Sequence, residues 1–372
     1  MAIRVLHLTS VFNRGGIETY LRDVLTRLPR EHVTFYFTHT MGVKGEMDDE
    51  YLDRGARFIE VPRWRSVHRY LPAFYQGIRD NDIDIVHVHH PELQGYFLSA
   101  TRLMGIKARF VHVHNTSWDT TERGLRGAFY KSLGRRITLN GATRGIACSA
   151  MAAEYAFGKN WRSDPRLKVI HYGIPLERFE EKHDRTLVRR ELGIPADAMV
   201  AGHVGSFTPQ KNHSKLLEIA EALFASNGRA CLLLVGDGPL RPEVEELARE
   251  KGIADRVVFA GLRSDVPRIL TAFDVFLLPS IFEGFGIALI EAQAAGVPCV
   301  VSRVVPEEAG IVKDSYEVLS LDDDARKWAE ACERLAAGRD RASSRGLEIV
   351  RRSDFNIDVS AGRLIREYED AL

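Results

Sequence analysis

Residues 275–291 read Val275-Phe276-Leu277-Leu278-Pro279-Ser280-Ile281-Phe282-Glu283-Gly284-Phe285-Gly286-Ile287-Ala288-Leu289-Ile290-Glu291. An apolar run gives way to a Pro-Ser turn and two glycines, and apolar residues at helical spacing follow. The pattern predicts a buried strand, a glycine-rich loop and a helix that starts near Ile287. The same order recurs on both sides. Strands are expected at Ile3–Leu8, Val33–Phe37, Ile83–His89, Phe110–His114, Thr143–Cys148 and Leu167–Ile170 in the first half, and at Met199–Val204, Ala230–Val235, Val257–Ala260, Val275–Leu278 and Pro298–Ser302 in the second. Helices are expected at Ile17–Leu28, Ser214–Phe224, Pro242–Glu250 and Ala288–Ala295.

Strand–helix alternation in both halves predicts an α/β protein with two doubly wound parallel sheets. Such sheets bind ligands beyond the carboxyl ends of their strands, and two facing domains would hold one in the cleft between them. Gly173 and Pro175 punctuate the boundary. The expected domains are 1–175 and 176–350, with 351–372 a helix that packs back on the first domain.

The chain has 372 residues, which exceeds one ordinary core. It carries 51 Lys+Arg against 51 Asp+Glu, which disfavours a basic nucleic-acid binder. The balance conceals a basic half, with 26 Lys+Arg and 18 Asp+Glu in residues 1–178, and an acidic half, with 25 and 33 in residues 179–372. One half is thus suited to an anionic partner. No apolar run reaches the roughly 18 residues of a membrane span. The first residues are too short and broken for a signal peptide. Cys148, Cys231, Cys299 and Cys332 lie far apart and read as thiols of a reducing cytoplasm.

The glycine loop at 283–286 lets backbone N–H groups approach a phosphate, and the following helix N-terminus favours its charge. Glu291, about one turn into that helix, can accept hydrogen bonds from ribose hydroxyls, and Glu283 lies at the turn near a transferred group. Gly15 and Gly16, behind the first strand, allow a similar close approach. Val86-His87-Val88-His89-His90 and Val111-His112-Val113-His114 each place two histidines on one strand face. A metal site is one reading of these pairs, but no helical motif such as H-E-x-x-H accompanies them, and no metal is assigned.

Glu283 and Glu291 within F-E-G-F-G-x-x-x-x-E resemble the signature of retaining GT-B glycosyltransferases of family 4, in particular the exopolysaccharide and capsule branch. The resemblance covers nearly the whole chain. It includes Arg4–Gly16 with G-G-I-E, the linker-like Val169-Ile170-His171-Tyr172-Gly173-Ile174, Val204-Gly205 through Lys211, Leu234-Val235-Gly236-Asp237-Gly238-Pro239, and Val258–Arg263. It implies a GT-B fold of two Rossmann-like domains facing a cleft. It also implies a retaining hexosyltransferase that moves a sugar from a nucleotide diphosphate, UDP by family frequency, to a hydroxyl of a saccharide or lipid-linked saccharide in polysaccharide synthesis.

The resemblance further implies the site. His114, Lys211 and Glu283 would be catalytic. Gly15, Gly16, Gly205, Ser206, Lys211, Gly236, Leu262, Arg263, Glu283, Gly284, Phe285, Gly286, Ile287 and Glu291 would bind the donor. His89 and His90 would line the acceptor side, while His87 and His112 belong to the core. Ser206 stands where the family usually has arginine, and Arg14 and Arg263 are candidate substitutes. Pro279-Ser280 would line the base or ribose. No cofactor is required beyond the nucleotide sugar. Thr121–Arg144 carries Arg123, Arg126, Lys131, Arg135, Arg136 and Arg144, with Leu125, Phe129, Leu133 and Ile137 at helical spacing. This suits peripheral contact with an anionic membrane at its cytoplasmic face, or a solvated helix over a buried stripe. Two other functions fit the same pattern: a UDP-sugar epimerase on this fold, and a non-catalytic sugar-nucleotide binding subunit.

Overall fold

The computed structural model describes residues 2–9, 11–12, 15–89, 94–116, 125–339 and 345–372, with the side chains of 94 and 125–131 excepted. The chain divides into two units. One comprises Met1–Gly173 with Ile357–Leu372, and the other comprises Ile174–Asn356.

The first unit holds β1 (Ile3–Thr9), β2 (Val33–His39), β3 (Arg57–Phe58), β4 (Ile85–Val88), β5 (Ala108–Val113), β6 (Arg144–Ala147) and β7 (Leu167–Val169). They form one sheet in the order β3-β2-β1-β4-β5-β6-β7, and every pairing is parallel. Valines, isoleucines and phenylalanines fill the central strands because both faces are covered; Val5, Ile85, Val86, Phe110 and Val111 are fully buried. The helix Ile357–Glu369 belongs to this unit. It buries Leu364 and Tyr368 and contacts the helix Gly16–Leu25. The Arg27 guanidinium reaches Asp358 at 2.8 Å, and Lys168 pairs with Glu367.

The second unit holds β8 (Met199–Val204), β9 (Ala230–Val235), β10 (Val257–Gly261), β11 (Val275–Leu278), β12 (Cys299–Ser302) and β13 (Tyr316–Leu319). Their order is β10-β9-β8-β11-β12-β13, again all parallel. Its core gathers Leu216, Leu223, Leu232, Leu234, Val275, Leu277 and Trp328. The chain enters this unit at Ile174 and leaves it at Asn356, and these two residues form a parallel bridge, with the Ile174 N–H donating to the Phe355 carbonyl at 2.9 Å.

Strand order reverses between β1 and β4 in one sheet and between β8 and β11 in the other. In sheets of this kind the loops after such strands diverge and leave a ligand crevice at the carboxyl edge. The expected strands are present with ends shifted by a residue or two. The edge strands β3 and β13 carry no comparable apolar run and are additions to the sequence reading.

Replacing Leu364 with Ala removes apolar contact from the first unit alone. The expected cost is about 2–5 kcal/mol. Hydrogen exchange should show faster opening of β1, β4 and β5, with protection of β8 and β9 unchanged.

Candidate functional site

In the second unit the loop after β8 turns through a short 3-10 segment, Pro209–Lys211, and Asn212 then takes a left-handed conformation. The loop after β11 carries Glu283–Gly286. Lys211 Nζ lies 2.7 Å from Glu283 Oε2, with side chains only 16% and 7% exposed. Gln210 Nε2 donates to Glu283 Oε1 at 3.4 Å, and the Ser280 hydroxyl donates to Glu283 Oε2 at 3.1 Å. The Ile281 N–H donates to the Gln210 carbonyl at 2.8 Å, and the Ser302 hydroxyl donates to the Ser280 carbonyl at 2.7 Å. One carboxylate thus holds the cation of the neighbouring loop, at the point where strand order reverses.

Gly236, after β9, has φ of +135°, and a Cβ there would lie 2.1 Å from the Gly205 carbonyl oxygen. Only glycine lets these two loops meet. Gly286 has φ of +87° and precedes the helix Ile287–Ala294, and no side chain caps that helix. Its first-turn amides therefore suit an anion. Glu291 is part-buried one turn along.

The fold brings Lys211, Glu283, Gly205 and Gly236 together. Phe285 is buried against Phe355, with ring centroids 5.3 Å apart, so only its backbone is offered to a ligand. Gly284 is buried, and Ile287 opens the helix. Ser206 and Leu262 are exposed. Arg263 is held by Asp265 at 2.8 Å and by Glu191 at 3.4 Å. Acids of its own unit already offset its charge, so its part as a substitute for the missing arginine is diminished. Ser280 is buried and faces Glu283 rather than a base or ribose. Arg14 and His90 lie outside the described residues.

In the first unit Gly15 precedes the helix that Gly16 opens. A Cβ on Gly15 would fall 2.5 Å from Glu18 Oε2, so the carboxylate folds back over the glycine. Burial raises the Glu18 carboxyl to about 7. The motif G-G-I-E carries this carboxylate next to the glycines in sequence. Gln210, next to Lys211 in sequence, carries no motif signal of its contact with Glu283.

The histidines form a layer. In register, His7 of β1 pairs with His87 of β4, so their side chains share one sheet face with His89, His112 and His114. His7 Nδ1 lies 2.9 Å from His89 Nε2, and His89 Nδ1 lies 2.8 Å from His114 Nε2. The Tyr172 hydroxyl contacts His114 Nδ1, and the Tyr368 hydroxyl lies 2.7 Å from His87 Nδ1. Burial, aided by the neighbouring rings, holds His7, His87, His112 and His114 well below the usual imidazole range; burial alone puts His89 at about 3. All five are neutral at physiological pH. His114 is the part-buried end of the layer. The role of Tyr172 beside His114 was not legible in its linker position.

The family model "Glycosyl transferases group 1" matches residues 198–338, and "Glycosyltransferase Family 4" matches residues 14–178. A Bacillus subtilis protein named as a glycosyltransferase, EpsF, is 32% identical over 379 residues, covering 98% of this chain and 96% of its own. The Escherichia coli UDP-Gal:alpha-D-GlcNAc-diphosphoundecaprenol alpha-1,3-galactosyltransferase is 28% identical over 334 residues, covering 86% of this chain and 85% of its own. Among solved structures, Anabaena HepE in complex with UDP superposes with a TM-score of 0.80 at 19% identity over all of both chains, and it is also known with UDP-glucose. This likeness fixes the GT-B fold.

Two measurements test the site's energetics. Lys211→Met leaves a buried carboxylate uncompensated and should destabilise the second unit by about 3–5 kcal/mol, whereas Lys211→Met with Glu283→Met should recover much of that loss in a double-mutant cycle. The Glu18 carboxyl is protonated up to about 7 when folded but only to about 4.5 when unfolded. Its contribution is complete below the lower value and is lost as pH rises through the higher one. Glu18→Gln should therefore stabilise by about 1–3 kcal/mol at pH 8 and leave stability at pH 4 unchanged, by chemical denaturation.

Proposed function

The chain belongs to glycosyltransferase family 4, and we propose that it transfers a sugar from a UDP-sugar, with retention at the anomeric carbon, to a hydroxyl of a saccharide or lipid-linked saccharide. The observation that carries this reading is the Lys211–Glu283 pair beside the uncapped helix start at Gly286. A cation and the first amides of a helix that no side chain caps suit a leaving diphosphate. UDP and UDP-glucose in the related fold support the donor, and the name of the E. coli relative supports a lipid-linked acceptor.

In the proposed reaction the acceptor oxygen bonds to the anomeric carbon on the face that the diphosphate leaves. The bond from that carbon to the phosphate oxygen breaks, and the acceptor proton passes to the departing phosphate. Lys211 and the amides of the helix at Ile287 take up the developing charge. Glu283 orients Lys211 and lies at the transferred sugar. Glu291 accepts the ribose hydroxyls, with Gly205, Ser206, Gly236, Leu262 and Arg263 around the nucleotide. His114 of the first unit, neutral and held by His89 and Tyr172 at its two ring nitrogens, would line the sugar, and Gly15 and Gly16 would admit the phosphate side. His89 orients His114. The donor site works without a metal, since Lys211 and the helix amides supply the positive field.

A peripheral membrane contact is part of this reading. Leu133 and Ile137 are 43% and 42% exposed on the helix Leu125–Gly141, beside exposed Arg136. They therefore do not form the buried stripe of an ordinary surface helix. Leu125 and Phe129 lie outside the described side chains. Among the described residues no helix is long and apolar enough to cross a membrane.

UDP is expected to raise the melting temperature equally with and without EDTA, with GDP, ADP and dTDP weaker, and Glu291→Ala should abolish the shift. With a UDP-α-sugar and a saccharide acceptor, proton NMR should find an α-linked product, and Lys211→Ala should lower kcat by about 10²–10³-fold. A β-linked product would sink the claim of retention. The absence of any nucleotide shift would sink the donor assignment.

A further inference from the structure

We propose that His7, His87 and His89 form a binding site for a transition-metal ion of the zinc type, separate from the donor loops. One ring nitrogen of each lies within 4.8 Å of the other two, and all three residues are buried. His7 and His87 are 0% exposed, and each has an Nε2 atom without a hydrogen-bond partner. A buried polar atom left unpaired is costly. Two such atoms in one layer call for an occupant, and imidazole nitrogen is the most common ligand for this class of ion.

The surrounding groups fit that occupant. Tyr368, 2.7 Å from His87 Nδ1, can accept its N–H, which fixes the tautomer and leaves Nε2 as a bare lone pair. The aromatic rings of Phe35 and Phe37 pack on His7 at 4.2 and 5.0 Å between ring centroids and hold it in place. Neutral imidazoles release no proton on binding. A zinc–nitrogen bond of about 2.0–2.1 Å spaces tetrahedral ligands roughly 3.3 Å apart. The ring nitrogens, within 4.8 Å of one another, would draw together on the ion. His112 stacks on His87 at 5.2 Å between ring centroids and holds that ring in place.

The ligands come from β1 and β4, the two strands between which the order of the first sheet reverses, and Tyr368 comes from the last helix. An ion there would tie the amino-terminal strand, the middle of the first unit and the returning carboxyl-terminal helix together. No element of the second unit takes part, so the inference stands whether or not the proposed donor chemistry is right.

The test uses the full chain, free of any polyhistidine tag, stripped with EDTA and then titrated with zinc chloride. One zinc per chain is expected after gel filtration, with an X-ray absorption spectrum showing imidazole scattering from three or more nitrogens. His7→Phe and His87→Phe, which keep ring stacking, should each weaken zinc binding more than tenfold, whereas the exposed-site control His32→Ala should bind as the parent does. Absence of retained zinc, a spectrum of oxygen ligands alone, or equal binding by both phenylalanine variants would overturn the site. Should those variants not fold, the spectrum of the parent protein decides.

Discussion

The ion pair between Lys211 and Glu283 joins two loops 72 residues apart in sequence, and the arrangement of the second unit depends on it. Parallel strands send all their carboxyl ends to one edge, so β8 and β11 deliver their loops side by side. Where the order reverses, those loops turn away from each other, and nothing in the backbone ladder closes the gap. The pair spans it, seconded by the Gln210 carbonyl and the Ser280 hydroxyl. In a nearly dry setting neither charge is tolerable without the other, so each loop fixes the other's conformation. A ligand diphosphate would thus meet a cation already held in place, with no ordering of a long side chain to offset.

The sequence made the sheets legible because their central strands are buried on both faces. The run Ala230–Val235 is apolar throughout, and its bounds agree with the strand found there. Arg57–Phe58 and Tyr316–Leu319 escaped because edge strands are short and half-exposed, and so leave no apolar run to read. At the site, residue types were legible and partners were not. Glu283 and Lys211 each stood out by motif, yet their mutual contact depends on the neighbouring of β8 and β11. Ser280 pointed toward a ligand in the sequence reading and toward Glu283 in the fold, because a side-chain direction is set by the turn it sits in. The tie of Arg263, a candidate substitute for the missing arginine, to Glu191 is not legible in sequence, since the two lie 72 residues apart.

The histidine layer shows the same division. Alternation placed His87 with His89 and His112 with His114, since period two is a property of any strand. The membership of His7 needed the β1–β4 register, and the two phenols that bound the layer, Tyr172 and Tyr368, come from the end of the first segment and from the last helix. Five imidazoles are kept uncharged by burial, and their neutrality leaves lone pairs and N–H groups aligned across three strands. Such an array is costly to assemble unless its polar atoms find partners, which is why its ends meet hydroxyl groups.

The bridge between Ile174 and Asn356 has a consequence for biosynthesis. The second unit is one unbroken segment whose two ends lie side by side, while the first unit lacks its last helix until the final residues emerge. On a ribosome the segment 174–356 can therefore complete its own hydrogen bonding before Ile357–Glu369 is made. Tyr368, fully buried on the helix Ile357–Glu369, closes a core whose strands were all made before the second unit. The core of the first unit thereby closes only after the whole of the second has been made, and a chain cut within 174–356 would leave the first unit without Ile357–Glu369.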